Sequence, residues 1–357
     1  MAPVIVELKK RGIDVRVVDS GQHATVTKSI REHFELDEVN VMLHRGSGAL
    51  TMGSGLKWLF QITKIGLQKN FDLLHKIFSG QTGPVLVHGD NLSTALRVWL
   101  ARRAGLPLAI VEAGLRSNNP FHPFPEEILR IILPYAASLL FAPSEREVKN
   151  LRDMGVSGRI VCTGGNTIID AMRIVLGNTF TETEDYGLWN FHRLETLFSP
   201  QRVDRLCRLM TEATEHGPVC FLVDLPTRPV LERRGWLSRL RRVGVEILEI
   251  MPYPQFLNLL ARAKYVATDG GSIQEECAVL GVPCMVLRRC SERADGLGEN
   301  IVLERSVSIH DFLKDVEFYR KKTAWPNVSP SSKIVDELVS YDFSAMTSIE
   351  ESPDFGK

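Results

Sequence analysis

The sequence predicts an α/β protein built as two doubly wound parallel domains facing a cleft, and two observations carry that prediction. Short apolar runs bounded by turn residues alternate with stretches of helical periodicity, the signature of βα units. That alternation runs twice, once in each half of the chain. At 357 residues the chain is long enough for two domains of ordinary size, each burying its own core. The boundary is placed near Asn166, giving an N-terminal domain over 1–165 and a C-terminal domain over 166–357. The segment after Tyr341 is polar, and this tail is expected to pack back on the N-terminal domain.

Taken in order, Ala2, Val4, Ile5 and Leu8 recur at helical spacing, with Pro3 near the start and Gly12 as the stop signal. Residues 15–18 read as a strand. Amphipathic stretches over 55–67 and 71–77 lead into the apolar run 84–87, which ends at His88-Gly89-Asp90 and precedes a helical pattern over 94–104. A strand over 108–111, a helix opening at Glu126 and a strand over 139–142 follow. Ser144 with Glu147 three residues later reads as a capping box for a helix to Met154. A strand over 159–162 closes this half at Thr163-Gly164-Gly165-Asn166. The second half gives strands over 187–190, 219–223, 245–250, 265–268 and 284–287, separated by helices over 200–216, 228–240, 254–263 and 273–280.

Composition narrows the class. Lys plus Arg equal Asp plus Glu at 43 each, so no net field favours nucleic acid or an anionic membrane, and any anion must be bound locally. The six cysteines form no C-x-x-C pair and lie in apolar stretches, which predicts packed, reduced thiols and a cytoplasmic location. The longest apolar stretch, around 131–143, is shorter than the ~18 residues that span a bilayer, and no basic lead-in precedes the first apolar residues. Neither membrane insertion nor secretion is expected. The arginines over 233–242 read as a solvated helix face.

Three acids occupy loops where a doubly wound sheet puts its chemistry: Asp90 in VLVHGD, Glu112 in VEAGLR and Glu126 in PFPEE. An acid after a strand is more often a cap or a surface charge. In combination, clustered carboxyls raise one another's pKa and divide donor and acceptor roles. In the second half His192-Arg193 follows one predicted strand, and Thr268-Asp269-Gly270-Gly271-Ser272 follows another and opens a helix carrying Glu275 and Glu276. Glycines before a helix N-terminus let backbone N–H groups approach a phosphate, where the helix adds about half a positive charge. With Arg193 and Arg293 nearby in this half, the loop is a phosphate-site candidate.

These motifs, with FAPSE, the GNTIIDA stretch from Gly165, HRLE at His192, TDGGSIQEE and SERADGLGEN from Ser291, resemble the non-hydrolysing UDP-N-acetylglucosamine 2-epimerases, in their order and over most of the chain from about Gly21. Glu112 stands 22 positions after Asp90 and Glu126 14 after Glu112, spacings that agree with that family. The resemblance implies two Rossmann-like domains of the glycosyltransferase-B architecture. It also implies an isomerase that interconverts UDP-GlcNAc and UDP-ManNAc by eliminating UDP across C1 and C2 and adding it back. Asp90, Glu112 and Glu126 would supply acid/base chemistry and charge stabilisation, with the C2 base unassigned among them, and His192 would lie near the leaving phosphate. Arg193, Gly270, Gly271, Ser272 and Arg293 would surround the diphosphate, Glu276 would accept the ribose hydroxyls, and Phe256 would pack on the uracil. Arg116 in VEAGLRS, and Gln22 and His23 in the GQH after the first predicted strand, would join the substrate-binding set. No cofactor or metal is implied. The partner is a UDP-sugar, the enzyme is typically a homodimer, and its product would feed cell-surface polysaccharide assembly.

Three departures stand out. The family opens with a strand and a Gly-Thr-Arg-Pro-Glu turn whose Arg binds phosphate, whereas this chain begins at the helix MAPVIVELKK. The first strand of the N-terminal domain is thus missing, and the natural chain is expected to carry about one βα turn more, ~15 residues, upstream. Gly270 stands where the family has a Ser. Asp224 replaces a His that in some members belongs to a second, activating UDP-GlcNAc site, so that site is expected to be weak or absent. Other readings are a UDP-sugar glycosyltransferase, which has no need of the acidic trio, and a catalytically impaired UDP-sugar-binding homologue. A hydrolysing variant is disfavoured by VEAGLR.

Overall fold

The computed structural model describes residues 1–20, 24–36, 38–43, 74, 77, 78, 83–119, 125–177, 182–322 and 325–343. They fall into two compact units, one within Met1–Ala24, Phe34–Thr167 and Val328–Lys357, the other within Thr25–His33 and Ile168–Asn327. The strands are β1 (Val18–Asp19), β2 (Val41–Met42), β3 (Val85–His88), β4 (Leu108–Val111), β5 (Leu139–Ala142), β6 (Arg159–Cys162), β7 (Gly187–Asn190), β8 (Val219–Leu222), β9 (Glu246–Leu248), β10 (Tyr265–Thr268), β11 (Cys284–Val286) and β12 (Ile301–Leu303).

In the first unit β3 to β6 form a parallel sheet in chain order, and β1 pairs with β2 in a separate two-stranded sheet. Strands covered on both faces read as unbroken apolar runs rather than alternating ones, which is why this half was legible as parallel. One face puts Val87, Leu108, Ile110, Leu140 and Ala142 against Val98, Val148 and Leu151 of flanking helices. The other puts Ala109, Val111, Leu139 and Phe141 against Val4 and Leu8 of the helix Ala2–Lys10 and Ile334 and Val335 of the helix Pro330–Ser340. Arg11 ties those two helices together, 2.5 Å from Asp336 and 2.8 Å from Ser332 Oγ.

The second unit holds a six-stranded parallel sheet in the order β12-β11-β10-β7-β8-β9. The first and fourth of its strands, β7 and β10, lie side by side, so successive connections diverge there and the loops after them leave a crevice. Trp189, Phe221, Ala267 and Met285 fill one face, and Leu188, Cys220, Val266 and Cys284 the other. A Cβ at Gly187 would overlap the buried Tyr265 ring, whose hydroxyl accepts Trp189 Nε1–H at 3.3 Å. Gly187→Ala is therefore expected to destabilise by about 1–3 kcal/mol through overpacking. A urea midpoint equal to that of the parent would refute it.

Several elements differ from the sequence expectation. The strand over 15–18 is reduced to Val18–Asp19, because only Val18 and Asp19 find ladder partners, in Val41 and Met42. The helix over 228–240 is two helices, Thr227–Arg233 and Trp236–Arg242, since Gly235 adopts φ +67° and its N–H closes on Glu232. The helix over 200–216 is α-helical through Ala213 and tightens into a 3-10 turn over Thr214–His216. The strand over 245–250 keeps only Glu246–Leu248. Ser144 does cap the helix Glu145–Met154 through Arg146 N–H, but the Glu147 carboxylate accepts the Ser144 hydroxyl rather than completing the box on the backbone. Cys290 is exposed, unlike the buried Cys207, Cys220, Cys277 and Cys284, because the chain leaves the sheet at β11 before reaching it. Burial pushes the Cys207 and Cys220 thiols up to about 12. The stretches over 55–67 and 71–77 lie almost wholly outside the described residues. Among the described residues no helix is long and apolar enough to cross a membrane.

Candidate active site

In the first unit the carboxyl ends of β3 and β4 carry the acids. Glu112, directly after β4, is held at φ +63°, a left-handed conformation that costs a side-chain-bearing residue about 1–3 kcal/mol and is kept where the surroundings over-determine it. Those surroundings are explicit. Asn166 Nδ2 donates to Glu112 Oε1 at 2.8 Å, and His88 Nε2 lies 3.5 Å from Oε2. Ala113 N–H is bonded to Phe141 O, and a Cβ on Gly114 (φ +91°) would come within 2.5 Å of Glu147 O, so the VEAGL turn is pinned against the helix Glu145–Met154. Glu112, Pro143, Thr163, Gly165, Asn166 and Thr167 line a small pocket.

Asp90, two residues beyond β3, pairs with Arg130 Nε, and Arg130 also reaches Glu127 at 3.4 Å. Glu127, not its neighbour Glu126, is the carboxylate buried without solvent exposure. It accepts from Arg116 Nε at 2.7 Å, Ser117 N at 2.9 Å and Asn118 N at 3.2 Å. Burial works to raise the Glu127 carboxyl, and the bonds from Arg116 and Ser117 outweigh it and hold the group below the ordinary carboxylate value. Glu126 opens the helix Glu126–Ile132 and is half-buried. Gln22 and His23 lie outside the described residues.

In the second unit the crevice between β7 and β10 brings His192 and the Asp269-Gly270-Gly271 turn together. Asp269, fully buried, accepts His192 N–H at 3.0 Å, Arg193 N–H at 3.2 Å and the Thr196 hydroxyl at 2.8 Å, which locks the loop after β7 to the loop after β10. Gly270 caps the helix Gly271–Leu280, and the positions that side chains would take at Gly270 and Gly271 are 3.1 Å from His192 Cε1 and 3.0 Å from Arg293 Nε. The helix N-terminus, with its unsatisfied N–H groups and exposed Ser272, is therefore flanked by an imidazole and a guanidinium, and the two glycines spare both a tight contact. Arg193 is fixed by Glu292 at 3.0 Å, Glu292 by Arg288 at 2.9 Å, and Arg293 by Glu275. Such a constellation suits a polyanion.

Glu276 is buried, and burial pushes its carboxyl up to about 8, against a smaller opposing effect of the Tyr253 hydroxyl. Burial thus favours its protonated form. Phe256 is half-buried and packs on the same apolar cluster as Leu257 and Leu260, its ring centroid 6.5 Å from that of Tyr253. Sequence reasoning missed His88, Glu127, Arg130, Asn166, Asp269 and Glu292. Each lay inside or beside a motif already singled out, but nothing in a linear pattern says that Asp269 meets residues 76 and 77 positions away. Among the described residues no group of three or more His, Cys, Asp and Glu is placed to hold a metal.

Two doubly wound parallel sheets, one ending in constrained carboxylates and the other in a glycine-lined helix N-terminus beside His and Arg, define a two-domain α/β enzyme of the glycosyltransferase-B type. A family model described as UDP-N-acetylglucosamine 2-epimerase matches residues 6–309, and the chain belongs to that family. The UDP-N-acetylglucosamine 2-epimerase of Methanocaldococcus jannaschii is 29% identical over 359 residues, 95% of this chain and 94% of its own length. That of Bacillus subtilis is 29% identical over 309 residues, 83% and 77% of the two chains. The crystal structure of the M. jannaschii enzyme in complex with UDP-GlcNAc and UDP superposes with a TM-score of 0.79 at 27% identity, covering 95% of both chains. The Neisseria meningitidis enzyme bound to UDP-GlcNAc gives 0.78 at 25%, also covering 95% of both.

Proposed function

We propose that this chain is a non-hydrolysing epimerase that interconverts UDP-GlcNAc and UDP-ManNAc. The observation that carries the proposal is the helix N-terminus at Gly271, bracketed by His192 and Arg293, in a family whose structures bind UDP-GlcNAc. The second unit supplies the grip on the nucleotide: Arg193, Arg293 and the N–H groups at Gly271 and Ser272 hold the diphosphate, and Gly270, whose own N–H is bonded to Thr268 Oγ1, leaves space beside them. Glu276 meets the ribose hydroxyls as a buried acid, and Phe256 packs on the uracil. The first unit supplies Asp90, Glu112 and Glu126, with Arg116 anchored on Glu127 completing the substrate-binding set.

The C2 hydrogen is too weakly acidic to leave unaided, so its removal is coupled to departure of the anomeric UDP. A carboxylate takes the C2 proton as the C1–O bond breaks, the electron pair leaves with the β-phosphate, and a C1–C2 double bond forms. Cations and N–H dipoles aimed at the phosphate lower the barrier by meeting charge as it develops. Delivery of a proton to the other face of C2, with re-addition of UDP at C1, completes the inversion. Incubation with UDP-GlcNAc in deuterated water tests this: deuterium is expected at C2 of both sugars as UDP-ManNAc accumulates. Turnover without C2 exchange, or binding without turnover, would instead identify a transferase or an inactive UDP-sugar-binding protein.

A further inference from the structure

We propose that Asp224 is a positioning residue for His192, acting through Asn190 to hold the imidazole in the tautomer that carries its proton on Nδ1. The inference deepens the reading of His192 as the residue beside the leaving diphosphate. Asn190 ends β7, and its side chain is buried between two loops. Its Nδ2 faces two acceptors, Leu222 O at 3.0 Å and Asp224 Oδ2 at 2.7 Å. Each accepts one of the two amide hydrogens, so a flipped amide would set its oxygen against both oxygens and is excluded. Asn190 Oδ1 is thereby turned to His192 Nδ1, 3.0 Å away.

An amide oxygen is only an acceptor, so Nδ1 must be the donor. The other groups near Nδ1 agree: Asp224 Oδ2 at 3.4 Å and Asp269 Oδ1 at 3.8 Å are also acceptors, and Asp269 Oδ1 is already bonded to the His192 backbone N–H. The ring's Cε1 lies 3.1 Å from the place a Gly270 Cβ would occupy at the helix N-terminus, so glycine at that position leaves the imidazole its space. Two sequence departures, Asp224 and Gly270, thus border one imidazole. Neutral His192 then presents a bare Nε2 that can take a proton, and protonated His192 presents Nε2–H to a phosphate oxygen. His192 is 41% exposed, so that nitrogen is within reach of a ligand.

The test is the imidazole nitrogen spectrum of uniformly folded, 15N-histidine-labelled protein, with His192→Gln used for assignment, alongside kinetics on UDP-GlcNAc. The parent is expected to show His192 protonated on Nδ1 when neutral. Asp224→Ala, which leaves only Leu222 O to hold the Asn190 amide, is expected to shift population toward the Nε2–H tautomer and lower kcat by about tenfold or more, with KM within threefold, since Nε2 can then no longer take up a proton beside the leaving diphosphate while the other phosphate contacts remain. Asp224→Asn, which keeps an acceptor for Asn190, is expected to restore the Nδ1–H signal and much of kcat. An Nε2–H signal in the parent, or an Asp224→Ala spectrum unchanged from it, would overturn the inference. The spectrum is read without substrate, so it stands or falls apart from the epimerase assignment.

Discussion

Replacing Glu112 by Gln is expected to lower kcat for C2 epimerisation by about 10²- to 10⁴-fold, the range spanned by a positioned acid or base. Of the three proposed carboxylates it is the one whose backbone is held in the left-handed region, with its side chain fixed by Asn166 on one oxygen and approached by His88 on the other. A conformation costing about 1–3 kcal/mol survives only where the neighbouring bonds repay it, and an amide of the same shape keeps Asn166 as a donor to its oxygen. The substitution therefore tests charge rather than fold. Thermal unfolding should be close to that of the parent and UDP binding by calorimetry should persist, because the proposed diphosphate grip belongs to the other unit. Epimerisation by Glu112→Gln within threefold of the parent would remove Glu112 from the chemistry.

Glu127→Ala is expected to be among the most destabilising single changes in the first unit. The carboxylate has no solvent exposure and receives Arg116, Arg130 and the N–H groups of Ser117 and Asn118. Removing one partner of a buried ion pair leaves the others uncompensated, at a cost of about 3–5 kcal/mol. The urea transition should move to lower denaturant, and Asp90 should lose its order along with Arg130. The pH dependence has a definite sign. The folded-state value of Glu127 is depressed below 4.5, so its stabilisation is complete above the unfolded value and is lost as pH falls through the folded one. The parent should lose this contribution only in acid below the ordinary carboxylate range, and Glu127→Ala should lack that part of the acid limb. A variant with the parent's midpoint and acid limb would show that the cradle contributes nothing.

The strands were legible because β4, β5, β7, β8 and β10 are buried along their whole length, and parallel strands covered on both sides leave runs such as LLFA and YVAT with no polar interruption. The candidate site was legible to the extent that its proposed residues sit in the loops just after β3, β4, β7 and β10, as Asp90, Glu112, His192 and Gly270 do. What failed was whatever depended on a partner. The strand over 15–18 is cut to the length of β2, and the helix over 228–240 breaks at Gly235 because two shorter helices bury Leu231 and Trp236 together. Glu126 and Glu127 are indistinguishable in PFPEE. Only the turn formed by residues 116–118 selects Glu127 as the one to be buried.

The sequence by itself determined the alternation of buried strands and helices and the loops in which the candidate residues lie, because burial periodicity and turn residues are local properties of a chain; the return of the helix Pro330–Ser340 to the first unit was not among them. The tertiary structure alone decided that β7 lies beside β10, and hence that Asp269 binds the loop of His192, that Asn190 turns its oxygen to that imidazole, and that Glu112 is strained against Asn166. Those relations join residues 2 to 77 positions apart through sheet order and packing. A hydrogen bond depends on where its two ends meet in space, and spacing along the chain does not record that.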